Sequence, residues 1–303
     1  MDRRAWFWLL LLGAIWGASY LFIAIGLRDL SPGMVAFLRI ALAAAVLVPV
    51  AAVQGALTGV RRYAGWLVLV GAVQVAGPFL LISAGEEEIA SSLAGILVAA
   101  APLWTAVLAI WVDHEERSQG LRLVGVLIGF AGVGLLLGVD LGGGGSELLG
   151  GLAVVAAALG YAIGGLLVKH RLTGMAPVGM SGLVMTASAL LLLPVAFATP
   201  PDSFPSLGPI AAVLTLGVVG TGAAFVIFYW LISTVGPART LVVTYVAPGF
   251  AIVYGALFLS EEITVATIGG LALILAGSWL SAEGRLPGRR QWGRESLPAS
   301  EVP

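Results

Sequence analysis

The chain contains no cysteine, which excludes disulfides, thiolate metal sites, iron–sulfur clusters and cysteine nucleophiles together. Histidine is almost as scarce. His114 and His170 are the only two, and both fall in polar connecting segments, so no buried histidine is available as a base or metal ligand. Charge is thin as well: Asp, Glu, Lys and Arg make up 10% of 303 residues, against about 25% in a soluble domain. The net charge of −1 offers nothing to a nucleic acid or another polyanion. Enzyme signatures are missing too: there is no His-Glu-x-x-His, no Gly-x-Ser-x-Gly and no phosphate-binding Gly-x-x-x-x-Gly-Lys-Ser/Thr. No cofactor site is expected.

What is present is apolar surface. Hydrophobic residues make up 59% of the chain and its mean hydropathy is +1.04, more than a water-soluble fold can hide. Ten apolar stretches, at 5–27, 33–54, 64–84, 89–112, 122–139, 147–169, 177–199, 209–233, 237–259 and 264–282, each approach the roughly 20 residues that span a bilayer core as a helix. The first is longer than the roughly 7–15 apolar residues of a signal peptide and reads as a retained helix. Backbone amides cannot go unsatisfied in lipid, and the continuous hydrophobicity excludes the alternation of a barrel. The expected fold is therefore an all-α integral membrane protein of ten transmembrane helices.

Lys and Arg sort by side. With the N-terminus inside, Arg3, Arg4, Arg61, Arg62, Arg117, Arg122, Lys169, Arg171, Arg239, Arg285, Arg289, Arg290 and Arg294 collect on the cytoplasmic side, thirteen of fifteen. Arg28 falls outside and Arg39 within a helix. Cytoplasmic loops carry such an excess, so both ends are expected in the cytoplasm of a cell that holds the protein in its plasma or inner membrane. The polar tail, 283–303, reads as disordered, with arginines that can rest on anionic lipid.

The chain also repeats itself. An offset of 145 residues brings Trp16 onto Tyr161, Pro32 onto Pro177 and Pro49 onto Pro194. One residue more places Gly71 on Gly217, Phe79 on Phe225, Pro102 on Pro248 and Glu115-Glu116 on Glu261-Glu262. Five helices is an odd number, so the second half enters the membrane from the opposite side and the repeat is inverted. The expected organisation is a first repeat over 1–139, a glycine-rich linker at 140–146, and a second repeat over 147–282. Inverted repeats recur in secondary transporters, whose halves rock around a midplane site. That step is an analogy from architecture.

Corresponding helices broken by Gly or Pro are the sequence pointer to such a site. Two pairs qualify: Gln74-Val-Ala-Gly-Pro78 with Gly220-Thr-Gly-Ala-Ala224, and Pro102 with Pro248, each about halfway along its span. A proline frees a carbonyl one turn earlier, which serves either as a kink or as a ligand. Around these breaks stand Trp16, Ser19, Tyr20, Gln74, Phe79, Trp104, Thr105, Tyr161, Phe225, Tyr229, Thr244 and Tyr245. They are either core packing or the wall of an aromatic, weakly polar cavity for an amphipathic small molecule. The residues expected to line a substrate site are Trp16, Ser19, Gln74, Phe79, Pro102, Trp104, Tyr161, Phe225, Tyr229, Tyr245 and Pro248.

Arg39 lies roughly 9 Å from the outer start of its helix, where a charge is costly unless paired, hydrated or snorkelling. Its expected partner is one of Glu86 to Glu88, closing an outer gate or binding a charged end of the substrate. Glu87 and Glu88 have a simpler explanation at the N-terminus of the next helix, which leaves Glu86 as the gate or coupling residue. Either Glu86 couples protons or transport follows the substrate gradient. Gly125, Gly129, Gly132, Gly134 and Gly138 with Gly269, Gly270 and Gly277 allow close helix contact, within the chain or in a weak homo-oligomer.

The stretches Ser91-Ser-Leu-Ala-Gly-Ile-Leu-Val-Ala-Ala-Ala-Pro102-Leu-Trp and Pro237-Ala-Arg-Thr-Leu-Val-Val-Thr-Tyr-Val-Ala-Pro248 resemble the EamA-type members of the drug/metabolite transporter superfamily. Glu115-Glu116 and Glu261-Glu262 resemble the acidic motif that ends the fourth helix of each repeat. In that motif a Gly usually precedes the Glu, where this chain has His114 and Ser260. The resemblance implies a ten-helix exporter of amino acids, other metabolites or drugs that works without ATP. An intramembrane enzyme, and a channel or scaffold, are the rival readings. The first lacks its motifs, and the second has little need for matched proline breaks.

Overall fold

The computed structural model describes residues 2–112, 120–140, 145–201 and 203–283, and among them the fold is entirely helical. Among the described residues, nine helices are long and apolar enough to cross a membrane: α1 Arg3–Gly26, α2 Pro32–Val53, α3 Val60–Gly85, α4 Ser91–Ala109, α5 Leu121–Gly138, α6 Gly145–Arg171, α7 Pro177–Ala198, α8 Leu207–Val235 and α10 Val265–Ala282. The tenth, α9 Val243–Leu259, has 17 residues and is preceded by one turn, Pro237–Thr240. The ninth stretch is thus interrupted at Leu241 and Val242. The chain is a ten-helix membrane protein.

Helix starts follow local chemistry. The Asp2 carboxylate accepts from the Ala5 amide at 2.8 Å, and Ser31 caps α2 through the Met34 amide at 3.2 Å with Pro32 in the first turn, both ordinary N-cap arrangements. Pro49 and Pro194, which coincide in the repeat, stay inside α2 and α7 without ending them.

Hydrogen bonds between loops sort them onto two faces. Asp29 accepts from Ser206 N at 2.7 Å and from its hydroxyl at 2.5 Å, and Ser31 meets Thr199, so the α1–α2 and α7–α8 loops share a face. Glu261 reaches Ser91, joining the α3–α4 and α9–α10 loops. We name this the distal face. Tyr63 donates to the Thr173 carbonyl at 3.1 Å on the opposite, proximal face, the side of the N-terminus.

Packing respects the repeat. α2 packs on α7, α5 on α10, α1 on α9, α4 on α6, α3 on α6 and α1 on α8. Exchanging the halves turns α2–α7 and α5–α10 into themselves, α1–α9 into α6–α4, and α3–α6 into α8–α1. The glycine helices meet within the chain: a Cβ on Gly125 would lie 2.6 Å from Ser281 N, and one on Gly277 would lie 2.6 Å from the Gly125 carbonyl. Only glycine permits that approach. Gly134 and Gly138 face open space and take no part. At the junction of the halves, Leu136–Asp140 continue α5 as a π-helical turn and α6 resumes at Gly145, while 141–144 lie outside the described residues. So do Glu115, Glu116 and the tail from 284.

Candidate functional site

Both predicted breaks in α3 and α8 are π-helical turns, Gly71–Ala76 and Val218–Ala223. Such wide turns interrupt the regular ladder and are frequent at functional sites. The Thr221 hydroxyl donates to the Leu216 carbonyl, five residues back, at 3.0 Å, and Ser188 of α7 donates to the Gly71 carbonyl at 3.0 Å. In the other pair the halves differ. α4 breaks at Ala99 and Ala100, between the segments Ser91–Val98 and Ala101–Val112, so that Pro102 is the second residue of the second segment. α9 runs unbroken through a buried Pro248 and is interrupted six residues earlier.

The π turns put rings at the centre. Phe79 meets Tyr161 edge-on with centroids 6.4 Å apart, and Phe225 meets Trp16 edge-on at 6.2 Å. These two contacts are images of one another under the repeat, since Phe79 matches Phe225 and Tyr161 matches Trp16. Around the second pair a proximal cluster grows. Phe228 lies 5.3 Å from Trp16, Tyr229 lies 6.0 Å from Phe225, and the Tyr229 and Ser181 hydroxyls are hydrogen-bonded.

The first pair is surrounded by charge. Arg39, 8% exposed, stacks its guanidinium over the Phe79 ring at 3.9 Å, and its Nε donates to Thr221 Oγ1 at 2.9 Å. A cation over an aromatic face, desolvated as here, is attracted by about 2 kcal/mol. The ion pair expected between Arg39 and Glu86, Glu87 or Glu88 is not formed. Glu86 is also 8% exposed, and both its carboxylate oxygens are buried without a hydrogen-bond partner. Thr221, from the other half, takes the place expected for a carboxylate. The π turn aims its hydroxyl at α2, a direction no sequence offset reveals.

Glu87 and Glu88 do not supply the carboxylate expected at the N-terminus of α4. Both are exposed, and the carboxylate at the start of α4 is Glu261, whose oxygens accept from Ser91 N at 2.8 Å and Ser92 N at 3.0 Å. It is held there by a tight loop in which Ser260 adopts a left-handed φ of +57° and the Glu261 amide donates to the Gly255 carbonyl at 3.1 Å. Glycine suits that conformation better than serine, which explains why a Gly precedes the Glu in the acidic motif that this stretch resembles.

Of the predicted substrate residues, Trp16, Phe79, Tyr161, Phe225 and Tyr229 are drawn into these two clusters, together with Arg39. Ser19 lies beside them, its hydroxyl bonded to the Ile15 carbonyl and facing Gly220. Gln74 packs on Gly164 of α6. Trp104 is directed elsewhere, against Phe130 of α5 at 4.8 Å with its indole N–H buried and unpartnered. Pro102 and Pro248 shape helices, and Tyr245 sits near the interruption that precedes α9. Phe228 and Ser181 were not singled out from the sequence, while Thr221 stood there only within the Gly220–Ala224 break and Glu261 only within the acidic motif, neither as a partner in the site.

The EamA-like transporter family model matches the chain twice, over residues 3–138 and 148–282. An "Uncharacterized transporter" of Archaeoglobus fulgidus is 25% identical over 286 residues, covering 91% of this chain and 98% of its own. An "Uncharacterized transporter YoaV" of Bacillus subtilis is 23% identical over 271 residues, covering 88% and 92%. A solved crystal structure superposes with a TM-score of 0.65 at 20% identity, over 93% of this chain and 98% of that one, a likeness of fold.

Proposed function

The chain belongs to the EamA-like transporter family, and from that premise we propose that it is a secondary carrier exporting small metabolites, amino acids or related amphipathic compounds, by alternating access at the midplane. The observation that carries this reading is the pair of ring contacts, Phe79–Tyr161 and Trp16–Phe225, repeated across the halves on two π turns. A substrate between them would meet equivalent walls from either side, as rocking about a fixed site requires. Rings supply stacking area at low entropy cost, and Arg39 supplies a cation for an anionic end of the substrate once it leaves Thr221.

The distal face is then the outer one and the proximal face the cytoplasmic one, in agreement with the basic residues on the proximal side. In this conformation the outer half is closed by contacts between the two repeats: Arg39 with Thr221, Glu261 with Ser91 and Ser92, Asp29 with Ser206. Opening breaks them together.

The reading is tested by comparing metabolites in medium and cytosol from cells that express the wild type, a Trp16→Ala/Phe225→Ala double variant, or an empty vector, with membrane insertion checked for each. A few compounds should accumulate outside only with the wild type. Identical profiles in all three, with correct insertion, would sink the exporter reading.

A further inference from the structure

Glu86 has no place in the carrier described so far, because Arg39 is engaged by Thr221 and Phe79. Its side chain is nonetheless more than nine-tenths buried, with neither oxygen hydrogen-bonded. An ionised carboxylate cannot be held that way. Removing it from water without a donor or a bonded cation is far costlier than neutralising it.

The surrounding groups favour a proton over a metal ion. Arg39 from α2, Tyr20 from α1 and Glu261 from the α9–α10 loop all lie within electrostatic reach of Glu86. α6, packed on the end of α3 through Gly150 and Val154, contributes Tyr161 deeper in and Glu147 at its start. Glu87 and Glu88 are exposed on the same turn. The fixed cation Arg39 disfavours a second cation; it also favours the carboxylate, but it is not bonded to Glu86, and burial outweighs its pull. Glu261 is the opposite case to Glu86: both its oxygens accept from backbone N–H groups at a helix N-terminus. Of two neighbouring carboxyls, the one whose oxygens are buried without a donor is the one suited to hold a proton.

We propose that Glu86 is the proton site of this carrier: it is a neutral carboxyl while the distal side is closed, set against the hydrogen-bonded Glu261 of the other repeat, and exchanges its proton with distal water when α4 parts from Glu261. The O–H bond of Glu86 breaks, the proton passes to water, and the carboxylate left behind is free to pair with Arg39. Re-closing reverses each step. The cost of burying the charge thereby links closure of the distal side to proton uptake. This rests on the carrier reading for its biological meaning, while the protonation itself does not.

The test is infrared spectroscopy of the full-length protein reconstituted in lipid at neutral pH. The wild type should show the C=O stretch of a protonated carboxyl that is absent from a folded Glu86→Gln variant and restored, shifted, in Glu86→Asp. Efflux of the compounds found by mass spectrometry should change several-fold between acidic and alkaline outside pH in the wild type and stay flat in Glu86→Gln. A band that survives in Glu86→Gln, or an equal pH response in both proteins, overturns the proton site and leaves the carrier reading standing. A Glu86-dependent band in a protein that exports nothing supports the proton site and overturns the carrier reading instead.

Discussion

The two ends of the central layer are built from different materials. In the distal half, repeat meets repeat through Arg39 with Thr221, Glu261 with the α4 amides, and Asp29 with Ser206. In the proximal half the corresponding space is filled by rings: Trp16, Phe225, Phe228 and Tyr229, with Trp8 against Trp230 at 5.9 Å farther out. The repeat would place Val184 where the distal half has Arg39, and Gly165 where it has Tyr20. Backbone symmetry is thus kept while side chains diverge. Charged hydrogen bonds are directional and fail together once water enters, whereas ring packing yields gradually. Under the alternating access proposed above, one latch of each kind would let the two sides open in response to different influences.

The comparison breaks most directly at Arg39. Arg39→Leu removes both the bond to Thr221 and the stack on Phe79, and transport should fall by roughly 10-fold or more, the scale of a charged hydrogen bond at about 1.5–3 kcal/mol. Arg39→Lys should not restore it, because an ammonium lacks the planar stack. Efflux rates normalised to inserted protein check both, and wild-type rates in Arg39→Leu would remove the latch from the account.

Glu261→Ala should destabilise the protein by about 1–2 kcal/mol, the upper range for losing an N-cap. The loss should show as faster hydrogen exchange at the Ser91 and Ser92 amides, and Glu262→Ala should leave those amides unchanged. In the proximal half, Phe225→Leu keeps an apolar side chain but removes three ring contacts. We expect a loss of roughly 1 kcal/mol in thermal unfolding, with hydrogen exchange at the distal amides unaltered. A distal response to this variant would show that the two ends are not separate.

Ser260→Gly should relieve the left-handed strain and, after the entropy of the added glycine, stabilise by no more than about 0.5 kcal/mol. Asp29 gives the smallest effect. Hydrogen bonds from Ser206, side chain first and then backbone, hold its carboxyl below the usual range. Its contribution is therefore present above the ordinary carboxylate pKa and lost as pH falls through the lowered value. The unfolding temperature should drop slightly on acidification in the wild type, and less in Asp29→Asn.

How much of this could be read beforehand depends on the kind of contact. The spans are close to those expected, because a bilayer imposes one length and one chemistry on every crossing segment. The Gln74 and Gly220 breaks were visible as glycine and proline out of place, and they are the π turns. Trp104 looked equivalent to the other rings by depth and type, yet it faces α5, since depth along a helix says nothing of rotation about it. The partner of Arg39 was sought among nearby glutamates because charge is legible and a hydroxyl 182 positions away is not.

The amino-acid sequence by itself determined the ten-helix membrane fold and the duplication, both of which follow from hydropathy, charge placement and internal matches along the chain. Only the tertiary structure decided that Thr221 holds Arg39, that Glu261 caps a helix of the other repeat, and that Glu86 is left buried with no partner. Those facts depend on which faces of distant helices are turned toward one another, a relation fixed by packing and not by any local rule.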